Sequence, residues 1–192
     1  MIKEQIIAIK QELPPEVKLV AVSKFHPEEA IREAYAAGQR AFGENRPQEL
    51  AAKVQALADL DLEWHFLGHL QTNKLKMVLP YAQLVQSVDS QHLLDAIQDW
   101  GKANDKLIRV LLELHIGAEE TKQGFKEEEI LDILFRAEKY RNVRFCGLMG
   151  MASHTDCEED IRADFARIAD FRAYLQRSRS EERRVGKEWR SR

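Results

Sequence analysis

One lysine stands out as a candidate nucleophile. Lys24 directly follows the apolar run of residues 17–23. Because burying an unpaired ammonium costs too much free energy, a lysine at the end of a buried strand must face a rim, a partner or a ligand. An amine held there, in partly apolar surroundings, can attack a carbonyl carbon. Position alone leaves open the alternative that Lys24 is an ordinary surface lysine.

Polar residues also lie at or near the ends of four further predicted strands. They are Asn45, His65, Ser87 and His115. In a barrel of parallel strands, the carboxyl ends of several strands build the site together, so five such ends favour a ligand pocket. Asn45 can donate and accept hydrogen bonds, which suits a hydroxylated ring. The alternative is that Asn45 and its neighbour cap the next helix.

Two glycine-containing segments could bring the chain close to a flat ligand. Gly43 permits a close approach of the backbone. Glycines also flank Met149, whose soft sulfur packs well against a ring, although Met149 could equally belong to the core. The loop after residue 115 contains Lys122, which could contact an anionic group or simply be solvated.

A metal site is not predicted. His65 and His69 are four residues apart, but they lie on a strand and a loop and lack the glutamate of the H-E-x-x-H pattern. Cys146, His154 and Cys157 would supply three ligands, one too few for a structural tetrahedral site. We interpret both cysteines as structural, with Cys146 in the strand core.

Six strand–helix units must position these residues. Strands are predicted over residues 18–23, 41–43, 64–67, 84–87, 108–115 and 143–149, and helices over 2–13, 27–37, 47–58, 72–79, 91–103, 127–140 and 158–176. Strict alternation indicates an α/β fold with a parallel sheet and outer helices. No G-x-G-x-x-G follows the first strand, which favours a (β/α)8 TIM barrel over an open doubly wound sheet. A full barrel has eight units, so we expect about the last two to be missing.

Composition narrows the class of protein. The 192 residues are 44% hydrophobic and 32% charged, as in soluble globular domains. The net charge of -3 gives no case for nucleic-acid binding. No segment approaches the roughly 20 apolar residues of a membrane span, and the N-terminus does not resemble a signal peptide. Two cysteines supply no disulfide framework, so we expect a cytoplasmic protein.

The end of the chain differs in character. Residues 178–192 contain six basic and three acidic residues and no useful apolar periodicity. We therefore interpret residues 1–177 as an incomplete barrel domain and residues 178–192 as a disordered basic tail that looks non-native. A basic arm that binds a nucleic acid or a partner is the alternative.

Taken in order, the motifs resemble those of one family. They are A-V-S-K ending at Lys24, F-G-E-N ending at Asn45, W-H-F-L-G-x-L-Q-x-N-K, S-V-D, T-K-Q-G-F and G-L-M-x-M-A. Over about residues 17–176 the chain strongly resembles the pyridoxal phosphate homeostasis proteins. The resemblance implies the barrel of the alanine racemase N-terminal domain (fold type III) without that enzyme's second domain.

The resemblance also implies a cofactor and its site. Pyridoxal 5′-phosphate (PLP) would be held as a Schiff base on Lys24, with Asn45, His65, Ser87 and Met149 around its ring. The resemblance implies a protein that is usually a cytosolic monomer and that buffers PLP, or delivers it to PLP-dependent apo-enzymes, without established turnover. Without the racemase's second domain and catalytic tyrosine the cofactor is open to solvent, which favours exchange over controlled chemistry.

The sequence departs from the family pattern near its end. The family continues with S-x-G-M-S and V-R-x-G segments that bind the PLP phosphate, and neither occurs here. We therefore expect an open barrel that is prone to aggregate and binds PLP weakly. Three alternatives remain: a PLP-dependent racemase-like enzyme with His65 or His115 as acid or base, a cofactor-free Schiff-base aldolase, and a binding module that uses the basic tail.

Overall fold

Six strands alternate with helices. The computed structural model describes residues 2–116 and 123–190, with side chains as far as Ser178. The strands are β1 Ala21–Val22, β2 Ala41–Glu44, β3 Glu63–Phe66, β4 Leu84–Val88, β5 Ile108–Glu113 and β6 Val143–Met149. The helices are α1 Ile2–Glu12, α2 Glu28–Ala36, α3 Pro47–Ala56, α4 Leu75–Val78, α5 Gln91–Ala103, α6 Glu127–Phe135 and α7 Glu158–Arg190.

The strands form one parallel sheet in chain order, from β1 to β6. Each neighbouring pair is parallel, as the alternation of strands and helices predicts. All the carboxyl ends therefore meet along one rim. We call it the carboxyl rim, and it comprises residues 23–26, 45–46, 67–69, 89, 114–116 and 150.

The main core lies between the sheet and the helices. Phe42 on β2 pairs in register with Trp64 on β3, and their ring centroids are 6.1 Å apart. Phe66 and Val85 continue this buried face, and both are fully inaccessible. The helices add residues that are equally buried, namely Leu50, Val78, Ile97 and Ile130. Burial of each such side chain contributes about 1.5–3 kcal/mol, so this layer fixes the strands that present the rim.

The sheet is open at its two outer strands. In the described residues β1 pairs with β2 and β6 pairs with β5, with no ladder between β1 and β6. Val22 is consequently 49% exposed although it is an apolar strand residue. The fold is thus α/β, with the topology of six successive units of a (β/α) barrel, as predicted.

β1 is shorter than the predicted strand over residues 18–23. Gln39 explains part of the difference, because its side-chain amide donates to the carbonyl of Leu19 at 2.8 Å, where a neighbouring strand would otherwise bond. After β1, the Ser23 N–H still donates to the Gly43 carbonyl at 2.9 Å. The chain therefore remains attached to β2 up to the residue before Lys24.

The helix predicted over residues 72–79 begins as a 3-10 turn, Thr72–Lys74, and only then becomes the four-residue α4. A helix this short has only a small macrodipole.

The last helix is longer than predicted. Residues 158–176 were expected to be helical, and the backbone of α7 stays helical to Arg190. Residues 178–190 hold Arg, Glu and Lys, which favour helices, and they contain no proline. The prediction of a disordered tail is therefore wrong for the backbone of these residues. The division into a barrel domain and a tail stays a prediction.

Cys146 does not lie in the strand core. The pairing of β5 and β6 shifts register here, since Val110 pairs with Phe145 and Leu111 with Gly147. Cys146 is left without a partner residue and is exposed, as is Cys157. The strand irregularity breaks the simple alternation on which the prediction was based.

No helix in the described part of the chain is long and apolar enough to cross a membrane.

Candidate cofactor site

Lys24 lies at the carboxyl rim, as predicted. It follows β1 in a turn and its side chain is exposed. The surroundings are less apolar than expected, because β1 is an outer strand of the open sheet. The centroid of the Phe25 ring lies 6.0 Å from the Lys24 ammonium. The structure therefore presents a primary amine that a ligand can reach.

Asn45 directly follows β2 and is half-buried. Its side-chain Oδ1 is buried and, among the described residues, has no hydrogen-bond partner. A buried polar atom without a partner costs free energy, and a bound donor would remove that cost. Asn45 therefore fits a role in holding a polar ligand beside Lys24.

Gly68 fixes the backbone of Asn45. A Cβ atom at Gly68 would overlap the Asn45 carbonyl oxygen and would lie within 2.8 Å of its Cα. Only glycine allows the loop after β3 to pack this closely on the end of β2.

Gly43, in contrast, does not leave room for a ligand as predicted. A Cβ there would meet the side chain of Leu67. The space beside Gly43 is occupied by the Leu67 side chain and is not available to a ligand.

His65 lies on β3 beside Gly43 and is buried. Its Nε2 lies 3.0 Å from a Glu63 carboxylate oxygen, and its Nδ1 lies 2.6 Å from the Gln86 amide nitrogen. Donation from Gln86 requires a lone pair on Nδ1, so the ring carries its proton on Nε2. Both ring nitrogens are thus engaged within the protein, which disfavours His65 as an acid or base toward a ligand.

Ser87 is buried on β4 and donates its hydroxyl hydrogen to the carbonyl of Gly68 at 2.5 Å. Its hydroxyl therefore supports the loop that packs on Asn45. Ser87 and Asn45 are brought together through Gly68, and the proposed contact between Ser87 and a cofactor ring stays a prediction.

Met149 ends β6 and is half-buried, beside Glu113 of β5. It lies on the last strand of the open sheet, whereas Lys24 follows the first. His115 begins the loop after β5, where its N–H donates to the Phe125 carbonyl at 2.9 Å. Lys122 lies outside the described residues.

Sequence reasoning missed an acidic group near Met149. The Glu113 side chain is buried, with 4% of the residue exposed. Its neighbour Asp89 has a carboxylate oxygen 2.8 Å from His69 Nδ1. Burial raises the pKa of the Glu113 carboxyl, and the charge of Asp89 adds to the increase while His69 opposes it. A charged residue ending the apolar strand β5 was a signal of the same kind as Lys24.

No group of metal ligands occurs in the residues that the structure describes.

The raised pKa of Glu113 predicts a pH effect on stability. The folded protein holds this proton more tightly than the unfolded chain, so the free energy of unfolding falls as pH rises above the unfolded value of about 4.3. Glu113→Gln removes this loss. We expect the variant to match the parent at pH 4 in thermal unfolding and to melt at a higher temperature than the parent at pH 7.

Glu63 provides a control of opposite sign. Burial raises the pKa of its carboxyl, but hydrogen bonds from Lys18 and His65 outweigh burial, and the net pKa is lowered. Its stabilisation is present above the unfolded pKa and is lost on acidification. Glu63→Gln should therefore lower the melting temperature at pH 7. Equal pH responses of the two variants would contradict this electrostatic description.

Comparison with known proteins identifies the family. Residues 1–186 match the alanine racemase N-terminal domain. A pyridoxal phosphate homeostasis protein of Aquifex aeolicus is 41% identical over 160 residues, which cover 83% of this chain and 70% of that protein.

The chain belongs to the pyridoxal phosphate homeostasis protein family. Another member, from Schizosaccharomyces pombe, is 35% identical over 163 residues that cover 83% of this chain and 68% of that protein. The family resemblance seen in the motifs is thus confirmed.

Solved structures confirm the fold of this family member. PipY of Synechococcus elongatus, determined with PLP bound, is 37% identical with a TM-score of 0.84, covering 93% of this chain and 83% of PipY. Alanine racemase from E. faecalis has a TM-score of 0.70 at 19% identity, covering 88% of this chain and 48% of the racemase. The racemase likeness shows the fold alone.

Proposed function

We propose that this protein binds PLP as a Schiff base on Lys24 and serves PLP homeostasis in the cytoplasm without catalytic turnover. One observation carries the proposal. The chain presents an exposed lysine amine at the carboxyl rim. Its sequence is 37% identical to that of PipY, which has the same fold and was determined with PLP bound. PLP supplies an aldehyde, and condensation with an amine releases one water and is reversible, as a carrier requires.

The residues of the rim fit this cofactor. Lys24 supplies the amine, and the buried Oδ1 of Asn45 supplies an acceptor that lacks a partner among the described residues. Gly68 and Ser87 hold Asn45 in place. Met149, at the end of β6, would approach the cofactor ring from the strand at the other end of the sheet. His65 would support the site by joining β3 to β4 through Gln86.

The absence of turnover is proposed from the state of His65, one of the two histidines that could act as an acid or base. A racemase-like enzyme needs an acid or base that is free to exchange a proton with its substrate. Both ring nitrogens of His65 are already engaged, by Glu63 and Gln86. A solvent-open rim also favours exchange of PLP over controlled chemistry.

Titration with PLP in the presence of alanine tests both parts of this proposal. We expect the visible absorbance of a protein Schiff base to saturate with added PLP. We expect L-alanine to be converted to D-alanine or pyruvate no faster than by free PLP alone. Saturable conversion by the purified protein would instead favour the racemase-like alternative.

PLP-dependent apo-enzymes are the proposed recipients. An apo-enzyme mixed with the PLP-loaded protein should regain activity, and size-exclusion chromatography should show a monomeric donor. A donor that retains its PLP during this incubation would contradict delivery.

A further inference from the structure

A buried lysine lies beneath the turn that carries Lys24. Lys53 of α3 is 7% exposed, which is rare for lysine unless its charge is paired. Its ammonium lies 2.6 Å from Glu44 Oε1 and 3.5 Å from Glu49 Oε2. The third neighbour is a backbone oxygen, the carbonyl of Ser23, at 2.7 Å. We call Lys53, Glu44 and Glu49 the clamp.

The clamp contacts both residues that flank Lys24. On one side, Ser23 gives its carbonyl to Lys53, and its hydroxyl donates to Glu44 Oε1 at 2.7 Å. On the other side, the Phe25 N–H donates to Glu49 Oε2 at 3.1 Å. This N–H, together with Lys53 and against the effect of burial, lowers the pKa of the Glu49 carboxyl, so Glu49 is a charged acceptor at neutral pH.

The held turn has an unfavourable backbone conformation. Phe25 has a φ of 63°, in the left-handed region that residues with a side chain rarely adopt. Such a conformation costs of order 1–3 kcal/mol and persists only where surrounding contacts impose it. Glu49 supplies one such contact, and the Arg46 guanidinium lies 4.5 Å from the Phe25 ring centroid and supplies another.

We infer that Glu49 and Lys53 are positioning residues that hold the turn of residues 23–25 in the conformation from which the Lys24 amine captures an aldehyde. This inference rests on the proposed function, since it assigns how the same site is prepared. Lys24 itself follows a two-residue strand at the outer side of the sheet, so the sheet alone leaves the turn weakly held. A side-chain clamp from the neighbouring unit compensates for that short strand.

Three variants of half-buried or exposed residues test the inference. Glu49→Ala removes the acceptor for the Phe25 N–H, whereas Glu49→Gln keeps an acceptor oxygen. Glu33→Ala is the matched control, because Glu33 also accepts a backbone N–H, from Lys3 at 3.2 Å, but it joins α2 to α1. The readout is the rate constant of Schiff-base formation with PLP, measured by stopped-flow absorbance on protein shown to be folded by circular dichroism.

We expect Glu49→Ala to slow capture by about 10- to 100-fold, the range for misplacement of a reacting group. Glu49→Gln should recover most of the rate, and Glu33→Ala should match the parent. A purely structural role would reduce the folded fraction, and so the amplitude, without changing the rate constant of the folded molecules. A parental rate constant in Glu49→Ala would overturn the inference.

Lys53→Met adds a second test from the other side of the clamp, with the same expected slowing if the variant folds. Hydrogen exchange of the Phe25 amide separates this inference from the proposed function, because it needs no PLP. Protection of that amide in the parent and its loss in Glu49→Ala are expected. If the parent captures no PLP, the proposed function fails; if the Phe25 amide is unprotected in the parent, the clamp fails.

Discussion

Lys24→Ala is expected to abolish the covalent capture of PLP. The side chain of Lys24 is the exposed amine at the carboxyl rim, and alanine cannot form a Schiff base. Borohydride-trapped PLP should fall to the level of a PLP-free sample. Equilibrium affinity should weaken by at least about tenfold, which corresponds to 1.4 kcal/mol. The trapped cofactor is measured by intact-protein mass spectrometry.

Two variants control for charge and for nonspecific lysine chemistry. Lys24→Arg keeps the positive charge but offers no primary amine, so it should behave like Lys24→Ala. Lys102→Ala removes another exposed lysine, in the last turn of α5, and should trap PLP like the parent. Trapping that is unchanged in Lys24→Ala but reduced in Lys102→Ala would show that the amine has been misidentified.

Gly68→Ala is expected to cause a large loss of stability and to disturb Asn45. The added Cβ would overlap the Asn45 carbonyl oxygen, and a backbone atom cannot move aside without shifting β2. Overpacking of this kind costs about 1–3 kcal/mol and sometimes more. In a chain of this size the melting temperature should fall by about 2–4 °C for each kcal/mol. Thermal unfolding by circular dichroism measures the change.

Gly43→Ala is the matched control for this steric argument. It adds a methyl group within β2, close to Asn45 in sequence, but the new atom would meet the Leu67 side chain rather than backbone. Combining Gly43→Ala with Leu67→Ala should relieve the overlap, whereas no single side-chain deletion should rescue Gly68→Ala. Equal losses in the two single variants would contradict the distinction between backbone and side-chain contacts.

The order and type of the strands could be predicted because each strand and each helix has its own periodic apolar pattern. Predicted β6 and α5 have the observed bounds. The length of β1 could not be predicted, since it depends on Gln39 binding the Leu19 carbonyl, a contact between residues 20 positions apart. The exposure of Cys146 likewise depends on a register shift between two strands.

The site shows the same division. Lys24, Asn45 and Ser87 could be placed near one rim from strand ends alone, because parallel strands align their carboxyl ends. The direction of each side chain could not be foreseen: Ser87 points to Gly68, and His65 is engaged by Gln86 from the next strand. Lys53 carried a weak signal, the spacing of four from Glu49 on a helix, but spacing does not reveal a bond to the Ser23 carbonyl.

The most direct test of PLP binding on Lys24 is to locate the trapped cofactor on the chain. The protein is titrated with PLP from low to saturating concentration; at each step a sample is reduced with borohydride and digested, and the peptides are sequenced by mass spectrometry. We expect a reduced pyridoxyl group on Lys24 at low PLP concentration, before any other lysine is modified. Modification spread evenly over exposed lysines, with no preference for Lys24, would contradict it.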